Sequence, residues 1–240
     1  MLADSEVERA LVVVAHPDDV DFGAAGTVAS WVRAGIAVSY CLCTNGDAGG
    51  FDQTVTRPDM ARIRQAEQTA AAAVLGVTDL HFLGFPDGRL EVSIELRKAI
   101  SRVIRQVRPQ RVLTQNPGRN FHRIYASHPD HMAAGEAAHC AVYPDARNPF
   151  AHPELLSDEG LEDWAVPEMW VQGTTEPNHY VDVTGDAFEL KKKALSEHVS
   201  QLPHVTDLDG MLRRWLEPQA LAAGLPAGSL AEAFLVVDTA

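Results

Sequence analysis

The sequence has few cysteines, no long apolar run and no basic leader, and each shortage excludes a class of protein. Three cysteines among 240 residues are too few for a disulfide framework, and Cys41 and Cys43 lie in a β-like run typical of core thiols. No stretch of about eighteen apolar residues is present, so no membrane span is expected. The acidic first residues lack the basic and apolar parts of a signal peptide, which favours a cytoplasmic location.

Positive charge is also scarce. Lys and Arg number 20 against 33 Asp and Glu, which gives a formal net charge of −13. Nucleic acids and anionic membranes both require a basic face, so neither is expected as a partner.

Short apolar runs alternate with alanine-rich helical stretches along the chain. The alternation predicts an α/β fold with a mainly parallel sheet. The predicted strands are 11–15, 36–43, 79–83, 111–114 and 179–183, with a final apolar run at 234–237. The predicted helices are 24–33, 57–75, 94–107, 132–142 and 187–198. Residues 1–240 are interpreted as a single domain, in which the Pro-, Asp- and Glu-rich segment 143–177 is a substrate-shaping loop region.

Ionisable side chains are concentrated in the string His16-Pro17-Asp18-Asp19, directly after the first predicted strand. Open α/β folds place their sites at the carboxyl ends of the strands. Burial of three ionisable side chains without partners would be costly, so a metal ion or a dense hydrogen-bond network is expected there. The structural alternative is that Asp18 or Asp19 caps the next helix and His16 is a core histidine.

A second string, His128-Pro129-Asp130-His131, follows the fourth predicted strand and opens a helix. If both strings lie at one edge of the sheet, they can supply two histidines and one carboxylate to a single site. That is the ligand count of a catalytic zinc with one position left for water. Asp130 is interpreted either as a carboxylate that orients an imidazole or as a helix cap.

Gly23 and Gly26, which follow the first string, raise the alternative of a dinucleotide-binding loop. The G-x-G-x-x-G spacing is missing, and the acidic string would put negative charge where a pyrophosphate binds. A nucleotide-binding oxidoreductase is therefore not expected. A metal-stabilised binding protein without turnover stays open, although a structural zinc tends toward four protein ligands.

The motifs resemble the PIG-L/LmbE family of zinc-dependent N-acetyl deacetylases, in order from about residue 10 to 140. The resemblance implies a Rossmann-like three-layer sandwich with the active site at the C-terminal ends of the strands. It rests on both strings, on Phe22–Thr27, on Thr44-Asn45-Gly46-Asp47, and on Arg64–Glu67 with Leu75-Gly76.

The resemblance implies His16, Asp19 and His131 as ligands of Zn²⁺, with another divalent metal as an alternative. It implies Asp18 as general base and His128 as the group that polarises or protonates at the reaction centre. The expected reaction removes an N-acetyl group from an N-acetylglucosamine-type or related amide, with a metal-bound water as nucleophile.

The expected partner is thus a small N-acetylated molecule, and a homo-oligomer is left open. The alternatives are an amidase of a sugar-thiol conjugate or other non-acetyl amide, and a catalytically silent metal-binding α/β protein.

Further residues are expected to contact substrate. Asn45 and Asp47 follow the second strand and could bind sugar hydroxyls, although Asn-Gly is also ordinary turn chemistry. Arg64 would contact substrate or form an ion pair with Glu67.

The loop before the second string carries two more candidates. His122 is expected to touch substrate, and Tyr125 is a candidate oxyanion donor. The family usually has Glu directly after the Asp pair, whereas Val20 and then Asp21 stand there in this sequence.

Overall fold

The computed structural model describes residues 1–121, 124 and 127–240, and its centre is a seven-stranded sheet. The strands are β1 (Arg9–Val14), β2 (Ala37–Thr44), β3 (Asp79–Phe85), β4 (Arg111–Gln115), β5 (Glu168–Gln172), β6 (His179–Asp182) and β7 (Ala231–Asp238). The helices are α1 (Asp19–Gly23), α2 (Ala25–Arg33), α3 (Arg57–Val74), α4 (Ile94–Val107), α5 (Pro129–Cys140), α6 (Glu154–Ser157), α7 (Asp186–Ser196) and α8 (Leu208–Ala222). A 3₁₀ turn at Asp4–Glu6 and a π turn at Ala141–Asp145 complete the described elements.

The strand order in the sheet is β3-β2-β1-β4-β5-β7-β6. Strands β3, β2, β1, β4 and β5 are parallel, β7 pairs antiparallel with β5, and β6 pairs antiparallel with β7. The prediction of an α/β fold with a mainly parallel sheet is confirmed. The order reverses between β1 and β4, and such switch points are where open α/β sheets bind ligands.

Both faces of the sheet are covered by helices, as the three-layer prediction requires. Side chains of β1 alternate between the two cores: Val12 packs in the core that includes α2 and α3, and Val13 packs in the core formed with α4 and α5. The apolar run of β1 is therefore buried on both sides, which is typical of a central parallel strand.

Helix ends follow local sequence signals. The Thr56 hydroxyl accepts the backbone N–H of Asp59 at the start of α3, and Ser93 does the same for Leu96 at the start of α4. Such caps satisfy N–H groups that the first turn leaves unpaired. The predicted helix 94–107 matches α4, and 57–75 exceeds α3 by one residue.

Helix α5 lies unusually close to the end of β4. A Cβ atom added at Gly135 would stand 2.2 Å from the backbone oxygen of Gln115, so only glycine permits this approach. The helix begins at Pro129, three residues before the predicted start at 132. The second histidine string is thereby fixed at the switch point beside β1.

The segment 143–177 differs from the prediction. Glu168–Gln172 forms the interior strand β5, so a loop over the whole segment is wrong. Glu168 pairs in register with Arg111, the first residue of β4, so the chain enters β5 at the edge where the strands begin. Residues 143–167 therefore precede β5 at the edge opposite the two strings, and only 173–177 follow it at their edge.

Helix α8 has no counterpart in the sequence prediction. It packs with α7 in a third core that includes Phe188, Leu195, Leu212 and Leu216. Across the described residues, none of the helices is long and apolar enough to cross a bilayer.

Candidate metal centre and active site

Ligand-type atoms of three side chains converge where the loop after β1 meets α5. The Nδ1 atom of His16 lies 3.2 Å from Nε2 of His131 and 3.3 Å from Oδ2 of Asp19, and Asp19 Oδ1 lies 3.0 Å from His131 Nε2. Two ligands of a tetrahedral zinc, each about 2.0–2.1 Å from the ion, stand about 3.3 Å apart. The spacing of these donor atoms from three side chains therefore fits one small divalent cation.

Local backbone geometry holds the first two of these side chains. Asp19 begins α1, and its Oδ2 accepts the backbone N–H of His16 at 2.7 Å, which closes the turn after β1. Gln115 at the end of β4 accepts the N–H of Ala15 at 2.9 Å and ties the two strands together above the switch point. His131 comes from the first turn of α5.

The far nitrogen of the His16 ring faces two carboxylates. Nε2 lies 3.1 Å from Asp87 and 3.2 Å from Asp130. Asp130 also accepts the backbone N–H groups of Gly88 and Leu90, at 2.7 and 3.2 Å. The Asp130 side chain is thus committed to the His16 ring and the 88–90 turn, an arrangement that fixes the tautomer and orientation of a ligand histidine.

Asp87 is a site residue that the sequence prediction missed. It follows β3 in the string Phe85-Pro86-Asp87-Gly88, whose Pro-Asp-Gly signal indicates an ordinary turn. Its position after a parallel strand at the same sheet edge was the available signal, but the strand was predicted only over 79–83, which leaves Asp87 four residues beyond its end.

Electrostatics around His16 favour a positive charge. Burial disfavours the charged ring, but the charge of Asp19 and the hydrogen bonds to Asp130, Asp19 and Asp87 outweigh it and raise the pKa of His16 to about 12. A buried imidazole among three carboxylates requires a cation or a proton for charge balance. The donor set therefore fits a divalent ion by charge as well as by spacing.

Asp18 directly precedes Asp19, and its carboxylate contacts Arg64. Its backbone is left-handed, with φ of 95°, and its carboxylate makes no capping hydrogen bond to α1. Oδ2 lies 3.1 Å from Nη2 of Arg64. Burial raises the pKa of Asp18 to about 6, against the opposing effect of Arg64. A carboxylate with a pKa near neutrality can accept a proton from a reacting group.

His128 is the N-cap residue of α5. Its Nδ1 accepts the backbone N–H of Asp130 at 3.2 Å, which leaves hydrogen on Nε2. Burial and the charges of His16 and His131 lower its pKa, so the ring is held neutral. Its ring centroid lies 5.1 Å from the centroids of both other rings. The neutral His128 ring therefore lies next to the rings of His16 and His131.

Two other groupings contain ligand-type atoms within 4.8 Å of one another: His16 with His128 and His131, and His16 with Asp87 and Asp130. His128 uses Nδ1 for the helix cap, and the two carboxylates share the far side of the His16 ring. In the set of His16, Asp19 and His131 the contacts are 3.0–3.3 Å, so this set stays the prediction for the metal ligands.

The residues predicted to contact substrate include Asn45 and Asp47, and the two differ in their hydrogen bonds. Asp47 accepts from Nε of Arg57 at 2.7 Å and from the backbone of Asp87 at 3.1 Å, so its carboxylate orders this loop. Asn45 is half-buried, and within the described residues its side-chain oxygen has no hydrogen-bond partner.

Arg64 is buried and does not pair with Glu67. It donates to the backbone oxygens of Pro17 at 2.5 Å and Gly46 at 3.0 Å in addition to its contact with Asp18. Contact of Arg64 with substrate stays a prediction. His122 and Tyr125 lie outside the described residues.

The fold and this His/Asp cluster define an α/β protein with a metal-type site at the sheet's switch point. A family model described as PIG-L, GlcNAc-PI de-N-acetylase, matches residues 11–142. The chain is 34% identical over 228 residues to a diacetylchitobiose deacetylase of Thermococcus kodakarensis, covering 93% of this chain and 80% of the relative. It is 30% identical over 222 residues to a probable N-acetyl-alpha-D-glucosaminyl L-malate deacetylase 2 of Bacillus anthracis, covering 86% and 91%.

A solved structure of a deacetylase is also similar to this chain. The N,N'-diacetylchitobiose deacetylase from Pyrococcus horikoshii, in complex with an inhibitor, matches with a TM-score of 0.89 and 28% identity over 98% of this chain and 85% of that one. The chain belongs to the PIG-L family. It is an enzyme of the deacetylase class, which hydrolyses amide bonds.

Proposed function

We propose that this protein is a metal-dependent deacetylase that hydrolyses the N-acetyl amide of an N-acetylglucosamine-type sugar. The observation that carries the proposal is the convergence of His16, Asp19 and His131 within 3.3 Å, next to a carboxylate that is not part of the set. The two deacetylases similar in sequence are both named for acetylated sugar substrates.

His16, Asp19 and His131 would hold the ion, and zinc is the ion that best suits two imidazoles and one carboxylate. When bound, it supplies a Lewis acid that polarises the acetyl carbonyl and makes the attacking water more acidic. Asp87 and Asp130 keep the His16 ring oriented through its Nε2 atom.

The chain's own groups carry the proton transfers. Asp18 accepts a proton from the attacking water, a role that its pKa of about 6 allows at neutral pH. The Nε2–H of His128 donates a hydrogen bond to the carbonyl oxygen as negative charge develops there. Asp18, once protonated, delivers that proton to the departing amine, which leaves as the free amino sugar beside acetate.

Acetate release tests this function. Metal-free protein would be incubated with N-acetylglucosamine, diacetylchitobiose and N-acetylglucosaminyl malate, with and without zinc, and Asp18→Asn would be measured at equal zinc content. We expect zinc-dependent acetate release from at least one sugar, reduced by about 10²–10⁴ in the variant. Tight zinc binding with no acetate release from any of the three sugars would contradict the proposed function.

A further inference from the structure

The backbone of Asp18 is held in a conformation that aspartate seldom adopts. Its φ of 95° and ψ of −26° lie in the left-handed region, where side chains with a Cβ are strained unless their surroundings fix them. The N–H of Asp18 donates to Oε1 of Gln68 at 2.7 Å. Gln68 therefore holds the main chain of the residue whose carboxylate is the proposed base.

The orientation of the Gln68 amide is fixed from its other end. Nε2 of Gln68 donates to Oδ2 of Asp21 at 2.9 Å, and the same oxygen is 2.8 Å from Nε2 of His198. A carboxylate can only accept, so the amide nitrogen must face Asp21 and the amide oxygen must face Asp18. Reversal of the amide would set two donors, the Gln68 NH₂ and the Asp18 N–H, against each other.

Gln68, Asp21 and His198 form a hydrogen-bond relay to the backbone of Asp18. These three side chains come from different parts of the chain and are buried. Gln68 lies on α3, Asp21 on α1, and His198 follows α7, and each has 0% exposure. Complete burial excludes them from contact with a substrate. Because these side chains are linked by hydrogen bonds to the backbone of Asp18, the role open to them is to orient Asp18.

We propose that Gln68, oriented by Asp21 and His198, is a positioning residue that holds Asp18 in its left-handed, reactive geometry. The inference rests on the proposed function, in which Asp18 is the base. It also explains the sequence after the Asp pair, because Val20 packs in the core while Asp21 provides the buried acceptor.

Gln68→Leu removes both hydrogen bonds while keeping a side chain of similar length. We expect kcat to fall about tenfold or more, the effect of one lost hydrogen bond on a reacting geometry. KM and zinc content should stay within about twofold, because neither the ligand atoms nor the substrate touches Gln68. The split between kcat and KM separates positioning from a role in substrate binding.

Exchange of the donor and the acceptor between Gln68 and Asp21 tests the hydrogen-bond relay itself. Gln68→Glu places two carboxylates in contact and should also lower kcat. Adding Asp21→Asn to Gln68→Glu restores a donor between them, because the new amide can donate to the new carboxylate, which still accepts the N–H of Asp18. The double variant should therefore recover most of the kcat that Gln68→Glu loses, although it carries more substitutions.

Glu67→Gln is the matched control. Glu67 is the neighbour of Gln68 on α3 and accepts from the backbone N–H and the hydroxyl of Ser200, both at 2.7 Å. Glu67 thus connects α3 to the segment that contains His198 and Ser200, but it makes no contact with Asp18. Its substitution should lower the melting temperature while kcat stays within about twofold of the wild type.

Crystal structures of zinc-loaded wild type and Gln68→Leu complete the test without using activity. We expect φ of Asp18 to leave the left-handed region in the variant only. Unchanged kcat and φ in Gln68→Leu, or a double variant no better than Gln68→Glu, would overturn the proposal. If the wild type hydrolyses no acetylated sugar, the proposed function fails, and the φ comparison still decides whether Gln68 positions Asp18.

Discussion

Two clusters of buried charge lie at opposite edges of the same sheet. At the edge where the strands begin, Arg111 donates to Glu168 and Asp4, each at 2.8 Å. Its guanidinium group lies over the rings of Trp31 and Trp170, 5.0 and 4.5 Å from their centroids. Every charge in this cluster has a partner of opposite sign within the protein.

The cluster at the carboxyl edge is built in the opposite way. His16, Asp19 and His131 bring donor atoms within 3.0–3.3 Å of one another, and two further carboxylates face the His16 ring. In the proposed function, a divalent cation bound by His16, Asp19 and His131 balances these carboxylates. The two clusters thus differ in composition: the first pairs acids with an arginine, and the second brings histidines and carboxylates of a metal-binding type together.

Loss of a ligand should produce the largest effect. His131→Ala removes one of three donors, and we expect zinc affinity to fall by more than the about 10–100-fold that follows loss of a ligand's hydrogen-bond partner. Acetate release should fall with it. Competition with a chelator of known affinity measures the change, and a His131→Ala protein with wild-type zinc affinity would remove His131 from the ligand set.

Loss of Arg111 should affect stability and leave the site intact. Arg111→Met removes the buried positive charge beside Glu168, whose carboxylate then keeps the N–H donors of Leu2 and Trp170, and it should cost about 3–5 kcal/mol in the free energy of unfolding. Arg102→Met breaks an exposed pair with Glu159 and should cost about 0–1 kcal/mol. Urea unfolding compares them. Equal losses in the two variants, or a loss of zinc affinity in folded Arg111→Met, would contradict the separation of the two edges.

Loss of the carboxylate behind His16 should have a smaller effect on the metal. Asp130→Asn cannot accept from all three of its donors, and we expect zinc affinity to fall about 10–100-fold. Asp79 makes a comparable contact at the other edge, 3.3 Å from Nε2 of His81, and serves as control. Isothermal titration should show no change for Asp79→Asn, and equal affinity in both variants would rule out orientation of His16 by Asp130.

The smallest expected effect is a pH dependence of stability at His198. Burial lowers the pKa of His198, but the hydrogen bond and charge of Asp21 outweigh it, so the pKa is raised. A raised pKa stabilises the fold below the unfolded value of about 6.5, and this contribution is lost as pH rises through the folded value.

His198→Gln keeps a hydrogen-bond donor and removes the titration. The excess unfolding free energy of the zinc-loaded wild type over this variant should be larger at pH 6 than at pH 9. Urea titrations at both values measure it, and an excess that grows with pH would show that the pKa of His198 is lowered.

The sequence predicted the parallel half of the sheet because β1, β2 and β4 are apolar on both faces. It did not predict β5, since Glu168–Gln172 is short and lies in a segment rich in Pro and charge. Helix α8 was missed because Gly210 and Pro218 interrupt its pattern, although both lie within Leu208–Ala222. Residues 143–167 were assigned to the site, but the direction of β5 brings them to the opposite edge.

The sequence predicted those site residues that lie in the two strings His16–Asp19 and His128–His131. His16, Asp19 and His131 follow strands that are neighbours in the sheet, so a shared edge brings them together. Asp87, Gln68 and His198 carry no motif, because their contacts with the two strings arise only when separate elements pack. Local spacing thus indicates which groups face a ligand, and tertiary packing decides which groups hold them in place.

The most direct test of this account is anomalous diffraction at the zinc absorption edge from crystals of zinc-loaded protein. We expect one strong peak per chain, about 2.0–2.2 Å from Nδ1 of His16, an oxygen of Asp19 and Nε2 of His131. A peak elsewhere, or none at this edge of the sheet, would show that the carboxyl-edge cluster is completed without a metal ion and would contradict the central claim.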